Sequence, residues 1–108
     1  MTQEVFMVDA KDYGKLEKLL SSDPYSDCSF TKAGYVLKES KALGQPAGFY
    51  IVFFESLDGR LIKALAEKLL EAIPLARRPE QAARDLVVSR IREEQDSAAS
   101  GFGSIFGQ

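Results

Sequence analysis

An uninterrupted apolar stretch, residues 49–54, constrains the fold of this chain more than any other feature of its sequence. The stretch reads Phe-Tyr-Ile-Val-Phe-Phe and contains no charged residue. A strand with apolar side chains on both faces has to be covered on both faces, as in the middle of a layered sheet. We therefore predict that residues 49–54 form the central strand of a sheet. Two helices on one side would leave the second face open, so a third helix, a second subunit or the C-terminal residues must cover it.

Two other stretches have the pattern of β-strands. Residues 5–8 are a short run of strand-forming types, and residues 28–38 alternate with the period of two that is typical of a half-exposed strand. Gly34 interrupts the second stretch and indicates a β-bulge. Residues 44–48 contain two glycines and a proline, which predicts a loop that joins the last two strands as a hairpin.

Three stretches have apolar residues at the three- and four-residue spacing of helices. They cover residues 11–20, residues 59–73, and a segment that begins at Pro79 and runs to about Gln95. The order βαββαα predicts an α+β fold with a three-stranded, largely antiparallel sheet, an incomplete ferredoxin-like plait that lacks the fourth strand. The first strand would then lie at a sheet edge with unpaired N–H and C=O groups, which a second copy, the C-terminal residues or the third helix could cover.

The absence of histidine and the single cysteine exclude many catalytic and metal-binding sites. Catalysis by Ser-His-Asp or Cys-His needs an imidazole, and a structural zinc site within one chain usually needs four Cys or His ligands. Cys28 follows Asp27, whose charge would raise the pKa of the thiol, so we interpret Cys28 as a buried structural residue. We predict no catalytic residue, no cofactor and no metal.

The charged residues produce no overall basic field. Lys and Arg number 14 and Asp and Glu number 16, for a net charge of -2. A local excess of positive charge lies around Arg77, Arg78 and Arg84, which makes an anion-binding site there the alternative hypothesis. Acidic residues follow at 93, 94 and 96, and their charge disfavours nucleic acid as a partner.

The sequence has neither the pattern of a secretory signal nor that of a membrane-spanning helix. The first residues, Met-Thr-Gln-Glu, lack the positive and apolar regions of a secretory signal, and no apolar run approaches the roughly 18 residues that span a bilayer. We therefore expect a cytoplasmic protein with no membrane partner.

The C-terminal residues 99–108 differ in character from the single α+β domain predicted for residues 1–98. They contain three glycines together with three large apolar side chains, Phe102, Ile105 and Phe106. Such side chains are unusual in a purely solvating tail. Three interpretations stay open: the tail folds back onto its own domain, it docks on another chain or a second copy, or it frays in solution.

Together these features favour a small, non-enzymatic interaction module that self-associates or binds another protein. The predicted interaction residues are those of the first strand and the tail: Val5, Phe6, Met7, Val8, Phe102, Ile105 and Phe106. The first alternative is a nucleic-acid or nucleotide-binding domain that uses the arginines around position 78. The second is a small enzyme with a cleft at a subunit junction. The predicted plait itself carries no function, because that fold hosts many unrelated activities.

Overall fold

The computed structural model describes residues 2–22 and 29–106, and for residues 97–106 it describes the backbone alone. It confirms an α+β fold. In chain order, the elements are β1 (Thr2–Asp9), a 3₁₀ turn (Ala10–Asp12), α1 (Tyr13–Ser21), α2 (Phe30–Ala33), β2 (Tyr35–Glu39), a 3₁₀ turn (Ser40–Leu43), β3 (Phe49–Ser56), α3 (Gly59–Ala72) and α4 (Gln81–Phe106).

The three strands form one antiparallel sheet in the order β1-β3-β2. The apolar strand β3 is central, as predicted, and pairs with both neighbours. Val52 of β3 faces Phe6 of β1 on one side and Leu37 of β2 on the other. Consequently β1 and β2 run parallel to each other on either side of β3, and each forms one edge of the sheet.

Alternate residues of β3 supply two separate cores. Val52 and Phe54 point into the larger core, which α1, α2 and α3 complete, while Ile51 and Phe53 point to the opposite face. On that face Val87 and Ile91 of α4 are 0% and 1% exposed and pack against the sheet. Helix α4, which is the third helix predicted from the sequence, therefore covers the second face of β3. This was one of the three predicted alternatives.

The prediction that a strand begins near residue 28 is wrong for residues 30–33. Ser29 accepts a hydrogen bond from the Lys32 N–H at 3.0 Å and caps the short helix α2. Phe30 is buried in this turn, with its ring edge-on to Phe54 at 5.2 Å between centroids. Gly34, with φ of 88°, ends the helix instead of forming a bulge in a strand. Strand β2 begins only at the next residue, and Cys28 lies outside the described residues.

The ends of the helices follow local side-chain chemistry. Asp58 caps α3 by accepting hydrogen bonds from the N–H groups of Arg60 and Leu61. Asp9 caps the 3₁₀ turn that precedes α1, where a single helix from residue 11 was predicted. Helix α4 continues past the predicted end at Gln95 to Phe106. The side chains of residues 99–108 lie outside the described part, so their separation from the domain as a tail stays a prediction.

Candidate interaction surface

The side chains of the predicted interaction residues in β1 are buried within the subunit. Val5, Phe6, Met7 and Val8 are between 0% and 9% exposed, and they divide between the two cores by strand alternation. A partner could reach this strand only through its backbone edge, and an interaction of Val5, Phe6, Met7 and Val8 with a partner stays a prediction. The tail residues Phe102, Ile105 and Phe106 have side chains outside the described part of the chain.

The segment between α3 and α4 covers part of the β1 edge. The Met7 N–H donates to the Arg77 carbonyl at 2.7 Å, and the Arg77 N–H donates back to the Met7 carbonyl at 3.1 Å. The backbone groups of Met7 therefore point away from β3. Because the direction alternates along an antiparallel strand, the groups of Gln3 and Val5 also point to this outer edge.

Two further residues limit strand pairing at the β1 edge. If the pairing continued antiparallel beyond Arg77, Pro79 would face Val5, and Pro79 has no N–H to donate. The chain turns away into α4, and Arg84 of that helix donates from Nη2 to the Gln3 carbonyl at 3.0 Å. The β1 edge is therefore covered at Gln3 by the third predicted helix, which was one of the alternatives, and at Met7 by the segment that precedes this helix, which was not among them.

The same alternation shows which groups of β2 face outward. Since the Met7 groups point outward, Phe6 forms the hydrogen bonds to Val52, and the neighbours of Val52 in β3 direct their groups toward β2. Those neighbours, Ile51 and Phe53, face Lys38 and Val36. The backbone groups of Tyr35, Leu37 and Glu39 consequently lie on the outer edge of β2.

The outer edge of β2 has more unpaired backbone groups than the outer edge of β1, where Met7 and the Gln3 carbonyl have partners. The Glu39 carbonyl begins the 3₁₀ turn Ser40–Leu43. Among the described residues, no hydrogen bond reaches the outward N–H groups of Tyr35, Leu37 and Glu39 or the carbonyls of the first two. The Tyr35 side chain is 40% exposed, and Leu37 is half-buried against the larger core. This edge is the most open strand template in the described chain.

The three arginines of the alternative anion site do not all converge: Arg78 and Arg84 line one groove beside Glu4, whereas Arg77 lies elsewhere. The Arg77 guanidinium lies over the Phe49 ring at 5.1 Å, whereas that of Arg78 lies over Phe6, on the opposite face of the sheet, at 4.7 Å. Arg78 also forms an ion pair with Glu4. The hydrogen bond between Arg78 and Glu4 raises the pKa of the Arg78 guanidinium, and burial lowers this pKa by a smaller amount. With Arg84 bound to the Gln3 carbonyl, the three cations serve separate intramolecular contacts.

A groove between β1 and α3 is the main cleft on the face of the larger core. Its volume is about 420 Å³, and Ile62, Ala66 and Leu70 of α3 provide apolar lining. Arg78, which is paired with Glu4, lines the same groove together with Arg84 and Lys63. In the described residues, no three His, Cys, Asp or Glu side chains are grouped so that they could hold a metal ion.

Two ion pairs that could not be predicted from the sequence connect α4 to β3 and β2. Arg92 pairs with Glu55 of β3 and lies over Phe53 at 5.6 Å. The hydrogen bond to Glu55 raises the pKa of the Arg92 guanidinium. Glu94 pairs with Lys38 of β2, with 3.3 Å between Oε2 and Nζ. These contacts are separated by many residues in sequence, and no local spacing identifies them.

Comparisons with known protein families, curated proteins and solved structures find no match for this chain. None of the helices in the described part of the chain combines the length and apolar character required to cross a bilayer.

Proposed function

We propose that this protein is a small interaction module that forms a homodimer by pairing the outer edge of β2 with the same edge of a second copy. The observation that carries the proposal is the row of unpaired backbone groups from Tyr35 to Glu39. Joining two such edges produces a continuous six-stranded antiparallel sheet. The proposal includes the cytosolic setting predicted from the sequence and an incomplete ferredoxin-like plait as the fold of each subunit.

A two-fold axis beside Leu37 aligns all five residues of β2 with those of the second copy. Leu37 lies opposite itself, Tyr35 lies opposite Glu39, and Val36 lies opposite Lys38. The two Leu37 residues exchange two hydrogen bonds, and each Glu39 N–H donates to a Tyr35 carbonyl, for about four bonds between the backbones. No like charges face each other, which matters because directly opposed like charges destabilise paired strands.

The edge of β1 is a poorer site for the same kind of pairing. Arg77 occupies the position outside Met7, so the longest two-fold pairing that avoids it is centred on Glu4. That arrangement places two Glu4 carboxylates opposite each other, where like charges are unfavourable. The second copy would also have to share the Gln3 carbonyl with Arg84. These contacts favour β2 over the β1 edge predicted from the sequence.

A charge-reversal pair tests both the dimer and its register. Tyr35→Glu would place two carboxylates opposite the two Glu39 residues, and at roughly 0.5–1 kcal/mol for each pair we expect the dimer dissociation constant to rise about 5- to 30-fold. Adding Glu39→Lys in the same chain would convert both repulsions into attractions and restore the wild-type constant. Sedimentation equilibrium measures all three constants.

Tyr35→Gln provides the matched control, because it removes the ring without adding charge. Both altered side chains are exposed, so circular dichroism should show unchanged folding. A monomeric wild-type protein at hundreds of micromolar would overturn the proposal. An equal effect of the Glu and Gln variants, without rescue by Glu39→Lys, would reject this register.

A further inference from the structure

We infer that the groove between β1 and α3 binds a small amphipathic molecule with one carboxylate and an apolar chain, such as a medium-chain fatty acid. The groove borders β1, which is the edge of the sheet opposite to β2. Binding at this place therefore goes beyond the proposed pairing of β2 and does not depend on it.

The size and the floor of the groove suit a hydrocarbon chain. Its volume of about 420 Å³ falls within the roughly 300–1,000 Å³ of typical small-molecule sites. Ile62, Ala66 and Leu70 follow one another at four-residue intervals and therefore lie in one row along α3. The first two are buried, and Leu70 is half-buried. A chain placed along this row would remove apolar surface from water, which is favourable.

The charged side chains of the groove leave one positive charge. Three cations line it, namely Lys63, Arg78 and Arg84. Two anions, Glu4 and Glu67, line it as well, so the sum is +1, although the whole chain has a net charge of -2. One carboxylate would neutralise the groove. A phosphate monoester carries about -1.5 to -2 and would leave an excess of negative charge.

Two of the three cations have unused hydrogen-bond donors. A guanidinium has five N–H groups, and Arg84 donates one of them to the Gln3 carbonyl, which holds the side chain at the groove. The Lys63 side chain is exposed and has no hydrogen bond or ion pair with the described residues. Arg78, by contrast, already donates to both carboxylate oxygens of Glu4. The ligand carboxylate therefore binds Arg84 and Lys63, and a carboxylate can accept two bonds from one guanidinium.

The positions of these groups along the groove set the direction of the ligand. A Cβ atom at Gly59 would lie 3.2 Å from Oγ1 of Thr2, so α3 starts beside the start of β1. The chain reverses after β3, and α3 then runs in the direction of β1. Lys63 is about one turn along α3, and the carbonyl that binds Arg84 is one residue along β1, so the two cations lie at nearly the same level. Leu70 lies about 10 Å beyond Lys63, and the chain of the ligand extends toward it.

Mapping of amide chemical shifts with three probes tests the site in the full-length chain. Octanoate has both features of the ligand, 1-octanol lacks the charge, and acetate lacks the chain. We expect octanoate to shift the signals of residues 2–4 and 62–70 saturably, and 1-octanol to bind there about tenfold more weakly. Acetate at the same concentration should give no saturable shift. Octanoate that does not bind, binds elsewhere, or binds no better than 1-octanol would overturn the inference.

A charge reversal tests the charged end of the site. Lys63→Glu should raise the dissociation constant of octanoate about 3- to 10-fold and leave that of 1-octanol nearly unchanged. Lys18→Glu on α1 is the matched control, because it makes the same change of charge at an exposed residue outside the groove. If both variants weaken octanoate equally, the overall charge of the protein and not this site attracts the ligand, and the inference is wrong.

Dilution of the ligand-free protein separates this site from the dimer contact. Signals of residues 35–39 should change as the dimer dissociates, whereas those of residues 2–4 and 62–70 should not. A change of the groove signals on dilution would mean that a second copy occupies the groove, which would overturn the ligand site. If residues 35–39 show no change and the protein is monomeric, the β2 pairing fails, and octanoate binding is still expected.

Discussion

Two glycines in similar surroundings have opposite roles at the scale of single residues. A Cβ atom added at Gly14 or at Gly34 would meet no other atom within 4 Å, so neither glycine is required for space. They differ in backbone conformation, since Gly34 has φ of 88° at the end of α2 whereas Gly14 is an exposed residue within α1. The positive φ of Gly34 costs free energy for a residue with a side chain, whereas the helical conformation of Gly14 does not.

This difference predicts stability changes of opposite sign. Gly34→Ala should lower the free energy of unfolding by about 1–2 kcal/mol, and Gly14→Ala should raise it by up to about 1 kcal/mol. Urea titrations at one fixed protein concentration measure both changes, because the stability of a dimer depends on concentration. A destabilising Gly14→Ala, or a neutral Gly34→Ala, would contradict the backbone assignment.

At the scale of elements, α4 is the component that makes a three-stranded sheet with an apolar second face possible. Its residue Ile91 is 1% exposed and completes the smaller core with Phe53, whereas Leu86 on the same helix is 42% exposed. The helix has this role although its apolar stripe is narrow, because Val87 and Ile91 are almost completely buried against the sheet.

We expect truncation of these two side chains to have very different costs. Ile91→Ala should lower the free energy of unfolding by about 2–4 kcal/mol through lost burial and a cavity, and Leu86→Ala should lower it by less than about 1 kcal/mol. Urea denaturation followed by circular dichroism measures both values. Equal costs would mean that α4 does not cover the sheet as described.

At the scale of the whole molecule, the two sheet edges differ in a way that limits assembly. The proposed pairing through β2 would use the same edge on both copies and would leave a β1 edge at each end of a six-stranded sheet. At those ends Arg77 pairs with Met7, Arg84 binds the Gln3 carbonyl, and Pro79 has no N–H with which to extend the pairing. A closed two-fold contact with capped ends stops at two subunits, whereas open ends would permit further growth of the sheet.

Removing the caps should therefore change the size of the assembly. We expect Arg84→Ala combined with Pro79→Val to form species larger than a dimer at concentrations where the wild-type protein remains dimeric. Light scattering coupled to size-exclusion chromatography measures the mass, and Arg60→Ala, an exposed change on α3, serves as the control. A double variant that stays dimeric at high concentration would show that these residues do not limit assembly.

The sequence by itself determined the elements whose formation depends on neighbouring residues. The apolar run at 49–54 identified the central strand, and Asp58 marked the start of α3. Between residues 28 and 38, the alternation indicated a strand throughout, but Ser29 and Gly34 form helix caps that shorten it. A local pattern with two interpretations gave one wrong boundary there.

Only the tertiary structure decided which edge of the sheet is closed and which side chains meet across it. Met7 and Arg77, like Lys38 and Glu94, lie far apart in sequence and come together because α3 returns the chain to β1 and α4 then crosses to β2. Hydrophobic periodicity reports which side of an element is buried. It contains no information about which distant segment covers that side, because this depends on the packing of the whole chain.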